Sequence, residues 1–398
     1  MEEHTLMAGG QQLRVMFYVQ HLLGIGHLMR ARRIASALHS NGIQVTLVTG
    51  GLPVGGFESS GVEQIALPPM AVRDGDFSAI VDGDGEPIND AFKEKRRNYL
   101  LDVYERIRPD IVMLEAFPFG RRQLRFELLP LIEAIQKSLP KPLLVTSIRD
   151  VLQRRSKAGR DEETAKLINC YFDKVLVHGD PKFAKLDETF AFAKGIKEKI
   201  AYTGLVCGPT PAGSARKFAI VVSAGGGAVG SELLRASLQA AAQLSEIESW
   251  CVIAGPYLPQ YEYDALVNSA PANVTMQRFR TDFTSLLATT DLSISQAGYN
   301  TVSDVLQANC RAMLLPFSLH GETEQSDRAA RLDQLGLATV VPDNVVSDKE
   351  SSGQKLAAMI RTALSQEAPK KSSSINCDGA NGAALVLRNL AKLNGPNA

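Results

Sequence analysis

The chain has 398 residues, 45% of them apolar and 22% charged, and its 43 basic and 43 acidic residues cancel. That length is too great for one ordinary core, so two domains of about 200 residues are expected. The composition excludes a fibrous or disordered chain, and the zero net charge argues against general nucleic-acid binding.

Residues 1–12 include the acidic, polar run MEEHTLMAGGQQ, which lacks the pattern of a signal peptide and is expected to be a disordered tail. Strand candidates follow at 13–19 (LRVMFYV), 44–50 (QVTLVTG), 110–116 (DIVMLEA), 142–148 (PLLVTSI) and 174–179 (KVLVHG). Several are continuous apolar runs, as strands buried on both faces of a parallel sheet should be. Residues 72–91 show no periodicity and read as a mobile loop; Asp82-Gly83-Asp84 within them is either a metal motif or a solvated turn. Between Ala91 and Arg160 stand sixteen Lys and Arg against eight Asp and Glu, which suits an anionic ligand, a membrane surface or solvated helix faces.

A Gly-, Pro- and Ser-rich stretch makes 206–217 the expected linker. The pattern then restarts with strands at 218–227, 249–255, 273–279, 291–298, 311–317 and 339–342, and a helix at 232–244. The expectation is therefore α/β: a domain at 13–205, a second at 218–375 and a C-terminal helix in 376–398. The five cysteines are odd in number and lack a CxxC pair, fitting free thiols in a reducing compartment. With no apolar run of the roughly 18 residues a membrane span needs, a cytoplasmic location is expected.

Ligands of open parallel sheets bind where strands end at their carboxyl side. Two glycine turns lie there in the second half. In SAGGGAVGSELL, Gly225, Gly226 and Gly227 leave backbone N–H groups open to an anion, and a helix opening near Ser231 adds its positive end. The spacing is neither GxxxxGK[ST] nor a clean GxGxxG, so a diphosphate cradle is the functional reading and a turn packed through glycine the competing one. In SQAGYNTVSDVL, Gly298, Asn300 and Thr301 open another helix, with Asp304 placed to accept from a ribose diol. Further on, Glu324-Gln325 enters a helix after a strand and offers acceptors and a donor to sugar hydroxyls, although both are also common helix-start residues.

These residues resemble the donor-binding domain of inverting GT-B glycosyltransferases, especially family 28. Gly298-Tyr299-Asn300-Thr301 is similar to the glycine-aromatic-Asn-Ser/Thr core of that family's nucleotide-sugar signature, and Asp304 takes the place of its ribose-holding acid. Glu324-Gln325 corresponds to the pair that contacts the donor sugar, and Ser223 with Gly225, Gly226 and Gly227 to the loop near the diphosphate. The family usually has Arg where this chain has Gln296 and Glu where it has Asp304. The resemblance implies a GT-B fold of two facing Rossmann-like domains, with parallel sheets flanked by helices. It also implies a nucleotide-diphospho-sugar donor, UDP-linked by expectation, and no cofactor or bound metal.

The first half adds GIGHLMRARR, where Gly24 and Gly26 precede His27 at a helix start; it resembles the N-terminal glycine loop of the same fold. A helix N-terminus disfavours imidazolium, so His27 is the first candidate for the base that deprotonates an acceptor hydroxyl. Glu115 and Asp150, at the ends of two strands, are candidates to replace or orient it. Arg149 either pairs with Asp150 or binds an anionic acceptor, His178 and His320 are candidates to touch phosphate, and His21 reads as packed at the sheet edge. Helical spacing spreads Arg30, Arg32 and Arg33 over different faces. Residues 117–135, FPFGRRQLRFELLPLIEAI, suit peripheral docking on the inner face of an anionic membrane or, equally, a core-facing helix with arginines in solvent.

Three readings remain at this stage. The first is an inverting hexosyl- or N-acetylhexosaminyltransferase acting on a hydroxyl of a glycan, lipid-linked or small-molecule acceptor. The second is a nucleotide-sugar hydrolase or epimerase, which the GxGHxxR spacing from Gly24 to Arg30 resembles. The third is a non-catalytic nucleotide-sugar-binding protein.

Overall fold

A computed structural model describes residues 12–22, 24–54, 61–73, 76–154, 157–211, 217–225, 230–317, 322–348, 350–367 and 375–394. The chain divides into two compact units, Met1–Val206 with Asp378–Ala398, and Cys207–Cys377.

The first unit is built on β1 (Arg14–Val19), α1 (Gly26–Ser40), β2 (Gln44–Thr49), β3 (Glu63–Ala66), β4 (Met70–Arg73), β5 (Asp76–Asp82), α2 (Asp90–Ile107) and β6 (Ile111–Glu115). It continues with α3 (Arg125–Lys137), β7 (Leu143–Arg149), α4 (Arg160–Tyr171), β8 (Lys174–His178) and β9 (Ile200–Tyr202). Its sheet runs β3-β2-β1-β6-β7-β8-β9, with every pairing parallel. The order reverses between β1 and β6, so the loops leaving those strands part to opposite sides and open a crevice at their carboxyl ends. The segment 72–91 is not a loop: it carries the antiparallel β4–β5 hairpin and the start of α2. Asp82 Oδ1 accepts from the amides of Asp84 and Glu86, each at 3.0 Å, which makes Asp82-Gly83-Asp84 a self-capped turn.

Apolar periodicity explains α1, which buries Leu28, Ala31, Ile34, Ala35 and Leu38 on one stripe. Each fully buried Leu or Ile there contributes about 1.5–3 kcal/mol. The chain returns to this unit through α12, labelled below, whose buried Ala383, Ala384, Leu387 and Ala391 lie along the helix packed on α1. Gly379 is required at its start, since a Cβ there would stand 2.1 Å from the Gly204 carbonyl oxygen.

A buried polar cluster fixes the end of β1. Arg96 of α2 donates through Nε to Glu127 Oε2 at 2.6 Å and through Nη2 to Gln20 Oε1 at 2.6 Å, and Tyr18 Oη also bonds Glu127. Gln20 Nε2 in turn donates to the His21 carbonyl at 2.7 Å. The loop that leads to α1 is thus tied to α2 and α3.

The second unit holds β10 (Ile220–Ser223), α5 (Ser231–Gln243), β11 (Trp250–Ile253), α6 (Gln260–Ser269), β12 (Val274–Gln277), α7 (Phe283–Leu287) and β13 (Leu292–Gln296). It continues with α8 (Tyr299–Ala308), β14 (Ala312–Leu315), α9 (Glu324–Gln334), β15 (Thr339–Val340), α10 (Asp343–Ser347) and α11 (Ser352–Ser365); α12 (Gly379–Leu393) then belongs to the first unit. Its parallel sheet runs β12-β11-β10-β13-β14-β15 and reverses between β10 and β13. Strand centres such as IVVS and WCVI are buried at every residue, and Trp250 is among the largest buried side chains. Among the described residues no helix is long and apolar enough to cross a membrane.

Candidate active site

His27 occupies the first turn of α1, just beyond the carboxyl end of β1. Glu115 ends β6, the neighbouring strand across the reversal, and is fully buried. The two meet: His27 Nδ1 lies 2.9 Å from Glu115 Oε1. Arg30, one helical turn beyond His27 and therefore on the same face, forms a buried ion pair with the same carboxylate oxygen. Ser147 Oγ, from β7, donates to Glu115 Oε2 at 2.5 Å; His178 Nε2 is 2.9 Å from Ser147 Oγ, and Thr203 Oγ1 is 2.8 Å from His178 Nδ1.

This chain has one consistent proton order. The Glu115 carboxylate only accepts, so both His27 Nδ1 and Ser147 Oγ donate to it. With the single Ser147 proton committed, His178 must donate from Nε2 and accept at Nδ1 from Thr203. The consequence lies at the far end: His27 carries its proton on Nδ1, leaving the Nε2 lone pair free to take one.

The electrostatics agree. Burial, then the Arg121 cation, bring the His27 pKa down to about 3, against the raising effect of Glu115. Burial likewise lowers His178 to about 3. For Glu115, burial alone would raise the pKa, but Arg30 and the His27 hydrogen bond outweigh it and hold the carboxyl below its usual range. His27 is therefore a neutral acceptor held by a permanent carboxylate.

His27 and Arg30 line a cavity of about 200 Å³ within this unit, together with Phe119, Arg121, Arg149 and Phe190. Arg121 sits on the turn after β6 with φ +60, and Ala116 on the same turn has φ +63, both in the region that L side chains rarely adopt. Asp150 ends β7 fully buried, its Oδ1 accepting from the Val151 amide at 2.7 Å, and does not line the cavity. His21 is buried beside the Leu52 carbonyl. The 117–135 run is a core helix start: Phe117, Leu128, Leu131 and Ile132 are buried, while Arg122 and Arg125 both bond Glu163 at 2.5 Å.

In the second unit, the turns after β10 and β13 flank its sheet reversal. Ser223 ends β10 and its Oγ accepts from the Gly225 amide at 3.3 Å. Gly230 begins α5 at φ +112, and a Cβ there would stand 2.8 Å from that of Ala224, so only glycine fits. Gln296 approaches both glycines: its Oε1 would stand 3.4 Å from a Cβ on Gly225 and its Nε2 3.2 Å from one on Gly230. Gly298 caps α8, whose first turn is Tyr299, Asn300 and Thr301. Gly226, Gly227 and His320 lie outside the described residues.

Asp304 is buried on α8 and its Oδ1 accepts from the Gly208 amide at 2.8 Å. Glu324, also buried, pairs with Arg328 Nη2 at 2.8 Å, and Arg328 donates to the Ala297 carbonyl at 3.0 Å with its guanidinium 5.6 Å from the Tyr299 ring centre. Gln325 Oε1 accepts from the Phe317 amide at 3.0 Å. Glu324, through Arg328, and Gln325 thus brace the turns after β13 and β14, while Asp304 holds the segment at Gly208. Sequence reasoning missed Arg30, Ser147 and Arg328 as braces; only the three-residue spacing from His27 to Arg30 signalled one of them.

Two parallel sheets, each reversing order at a glycine turn, define a GT-B glycosyltransferase fold, and solved structures share it across the chain. The calicheamicin glycosyltransferase CalG4 is 16% identical with a TM-score of 0.64, covering 98% of this chain and 100% of that one. MurG of Acinetobacter baumannii is 18% identical with a TM-score of 0.57, covering 95% and 99%. More narrowly, residues 220–385 match the glycosyltransferase family 28 C-terminal domain. Over 145 residues the chain is 31% identical to the UDP-N-acetylglucosamine–N-acetylmuramyl-(pentapeptide) pyrophosphoryl-undecaprenol N-acetylglucosamine transferase of an Exiguobacterium species. That stretch is 35% of this chain and 38% of the relative.

Proposed function

We propose that the chain is an inverting glycosyltransferase that moves a hexose or N-acetylhexosamine from a nucleotide-diphospho-sugar, preferably UDP-linked, to an acceptor hydroxyl. The second unit binds the donor: main-chain amides at the starts of α5 and α8 oppose the diphosphate charge, in place of a metal. The name of the Exiguobacterium relative supports a UDP-sugar. The protein works in the cytoplasm, where such donors are made available, on a glycan, lipid-linked or small-molecule acceptor.

The observation that carries the reading is the His27–Glu115 pair at 2.9 Å with Nε2 left as an acceptor. In the reaction, His27 Nε2 takes the acceptor's hydroxyl proton as its oxygen bonds to the anomeric carbon. The bond from that carbon to the diphosphate oxygen breaks, and the nucleoside diphosphate leaves with the electron pair. One displacement inverts the anomeric centre. Glu115 steadies the imidazolium that forms.

The test is calorimetric titration of the full chain with UDP, GDP and dTDP, followed by incubation with the matching sugar donors. A nucleoside diphosphate should bind, and sugar release should require an acceptor. Binding of none would overturn the reading, and rapid release of free sugar without acceptor would replace it with hydrolysis.

A further inference from the structure

The cavity beside His27 contains a cation the rest of the site does not satisfy. Arg121 donates through Nε to the Gln20 carbonyl at 2.9 Å, a neutral acceptor and the hydrogen-bond partner it has among the described residues. Glu115 is already engaged by His27, Arg30 and Ser147, and Asp161, the other carboxylate on the cavity lining, makes no hydrogen bond to Arg121 among the described residues. Burial, together with the Arg149 and Arg30 cations, brings the Arg121 pKa down to about 10 despite the raising effect of Glu115. A guanidinium set in a cavity among like charges is unfavourable unless an anion joins it.

The backbone supports the same conclusion independently. Ala116 and Arg121 both hold left-handed φ values on the one turn that carries Arg121 into the cavity lining, a conformation unfavourable for an L residue. Strain of this kind persists where surroundings enforce it, and it concentrates at ligand sites. The lining pairs these cations with an apolar group: Phe119 and Phe190 pack edge to face with centroids 5.0 Å apart, and Ile148 and Leu152 line the cavity with them, as do the polar Gln153, Asp161 and Thr189.

We propose that this cavity takes an acceptor bearing a carboxylate or phosphate, which Arg121 binds, with its apolar body against Phe119 and Phe190. Resting on the transferase reading above, the inference narrows the acceptor to a hydroxyl compound that is both anionic and apolar. Arg121 is a specificity-determining residue in this scheme: its guanidinium offers a planar pair of donors matched to either anion.

The experiment is ligand-observed NMR titration of the full chain with 4-hydroxybenzoate, its neutral amide and phenyl phosphate. Either anion should bind at least about tenfold more tightly than the amide, as a charge-assisted hydrogen bond would give. The stronger of the two anions identifies the carboxylate or the phosphate as the group recognised. In Arg121→Gln the preference should fall to within about twofold, with UDP binding unchanged. Equal binding of acid and amide by the natural protein, a preference that survives Arg121→Gln, or no binding of either anion at millimolar concentration overturns the proposal. The comparison of acid with amide needs no variant, so a variant that fails to fold leaves the test intact. 4-Hydroxybenzoate, the anionic probe that carries a hydroxyl, binding tightly yet glycosylated by no donor would overturn the transferase reading and leave the anion site standing.

Discussion

His27 Nδ1 and Glu115 Oε1 stand 2.9 Å apart, joined from two strands whose loops separate at the sheet reversal. The pair sets a tautomer. Because the carboxylate can only accept, the proton is fixed on Nδ1, and the basic nitrogen is the other one. Ser147 and His178 extend the chain of donors behind Glu115, so the orientation of His27 depends on groups it does not touch.

Ser147→Ala should therefore act through Glu115. The carboxylate keeps His27 and Arg30 but loses one donor, at a cost of about 1 kcal/mol in stability. Transfer kcat should fall roughly tenfold with KM within about twofold. Steady-state kinetics on folded protein checks this; an unchanged kcat with lost stability would show a purely structural serine.

Acid should destabilise the protein earlier than carboxylate protonation alone would. His27 and His178 have folded pKa values of about 3 against 6.5 unfolded. A depressed histidine contributes stability that is complete above 6.5 and lost as pH falls from there towards 3. The slope is about 1.4 kcal/mol per pH unit for each histidine. Urea unfolding at several values between pH 7 and pH 5 should show stability falling, with the slope reduced by about one proton in His178→Gln. Flat stability over that range would contradict the buried neutral state.

The strand centres could be read from the sequence because RVMFYV, IVMLE and IVVS are apolar without interruption, as strands covered on both faces must be. The edge strands β3 (EQIA) and β9 (IAY) could not, being short and partly exposed. Nor could the return of the last helix to the first unit, which depends on packing against α1. At the site, His27 and Glu115 stood out as polar residues at the carboxyl ends of buried strands. Arg30 stood out only as the end of the GxGHxxR spacing; its role in holding Glu115 could not be read, because that carboxylate lies 85 residues away in the chain.

Removing the Arg30 cation should leave Glu115 buried without its ion-pair partner. Arg30→Met should cost about 3–5 kcal/mol and raise the Glu115 pKa towards or above its ordinary value. Denaturant midpoints at pH 7 and pH 5 measure both effects, since the penalty should shrink at the lower pH. An equal penalty at the two pH values would argue that packing, not charge, is what Arg30 supplies.

Asp304 separates two roles through its amide. Asp304→Asn keeps an oxygen for the Gly208 amide, so stability should change by less than about 1 kcal/mol, whereas a ribose diol loses a charged acceptor and UDP binding should weaken roughly tenfold. Calorimetry with UDP decides it. Unchanged affinity would reduce Asp304 to an anchor for residue 208.

The account turns on His27 as the proton acceptor, and the most direct measurement is UDP release by the natural protein and by His27→Gln, each with and without an acceptor. The natural protein should release UDP only when the acceptor is present. The variant should bind UDP with the same affinity and turn over roughly 10²–10⁴-fold more slowly. Full activity in His27→Gln, or release that ignores the acceptor, would contradict it.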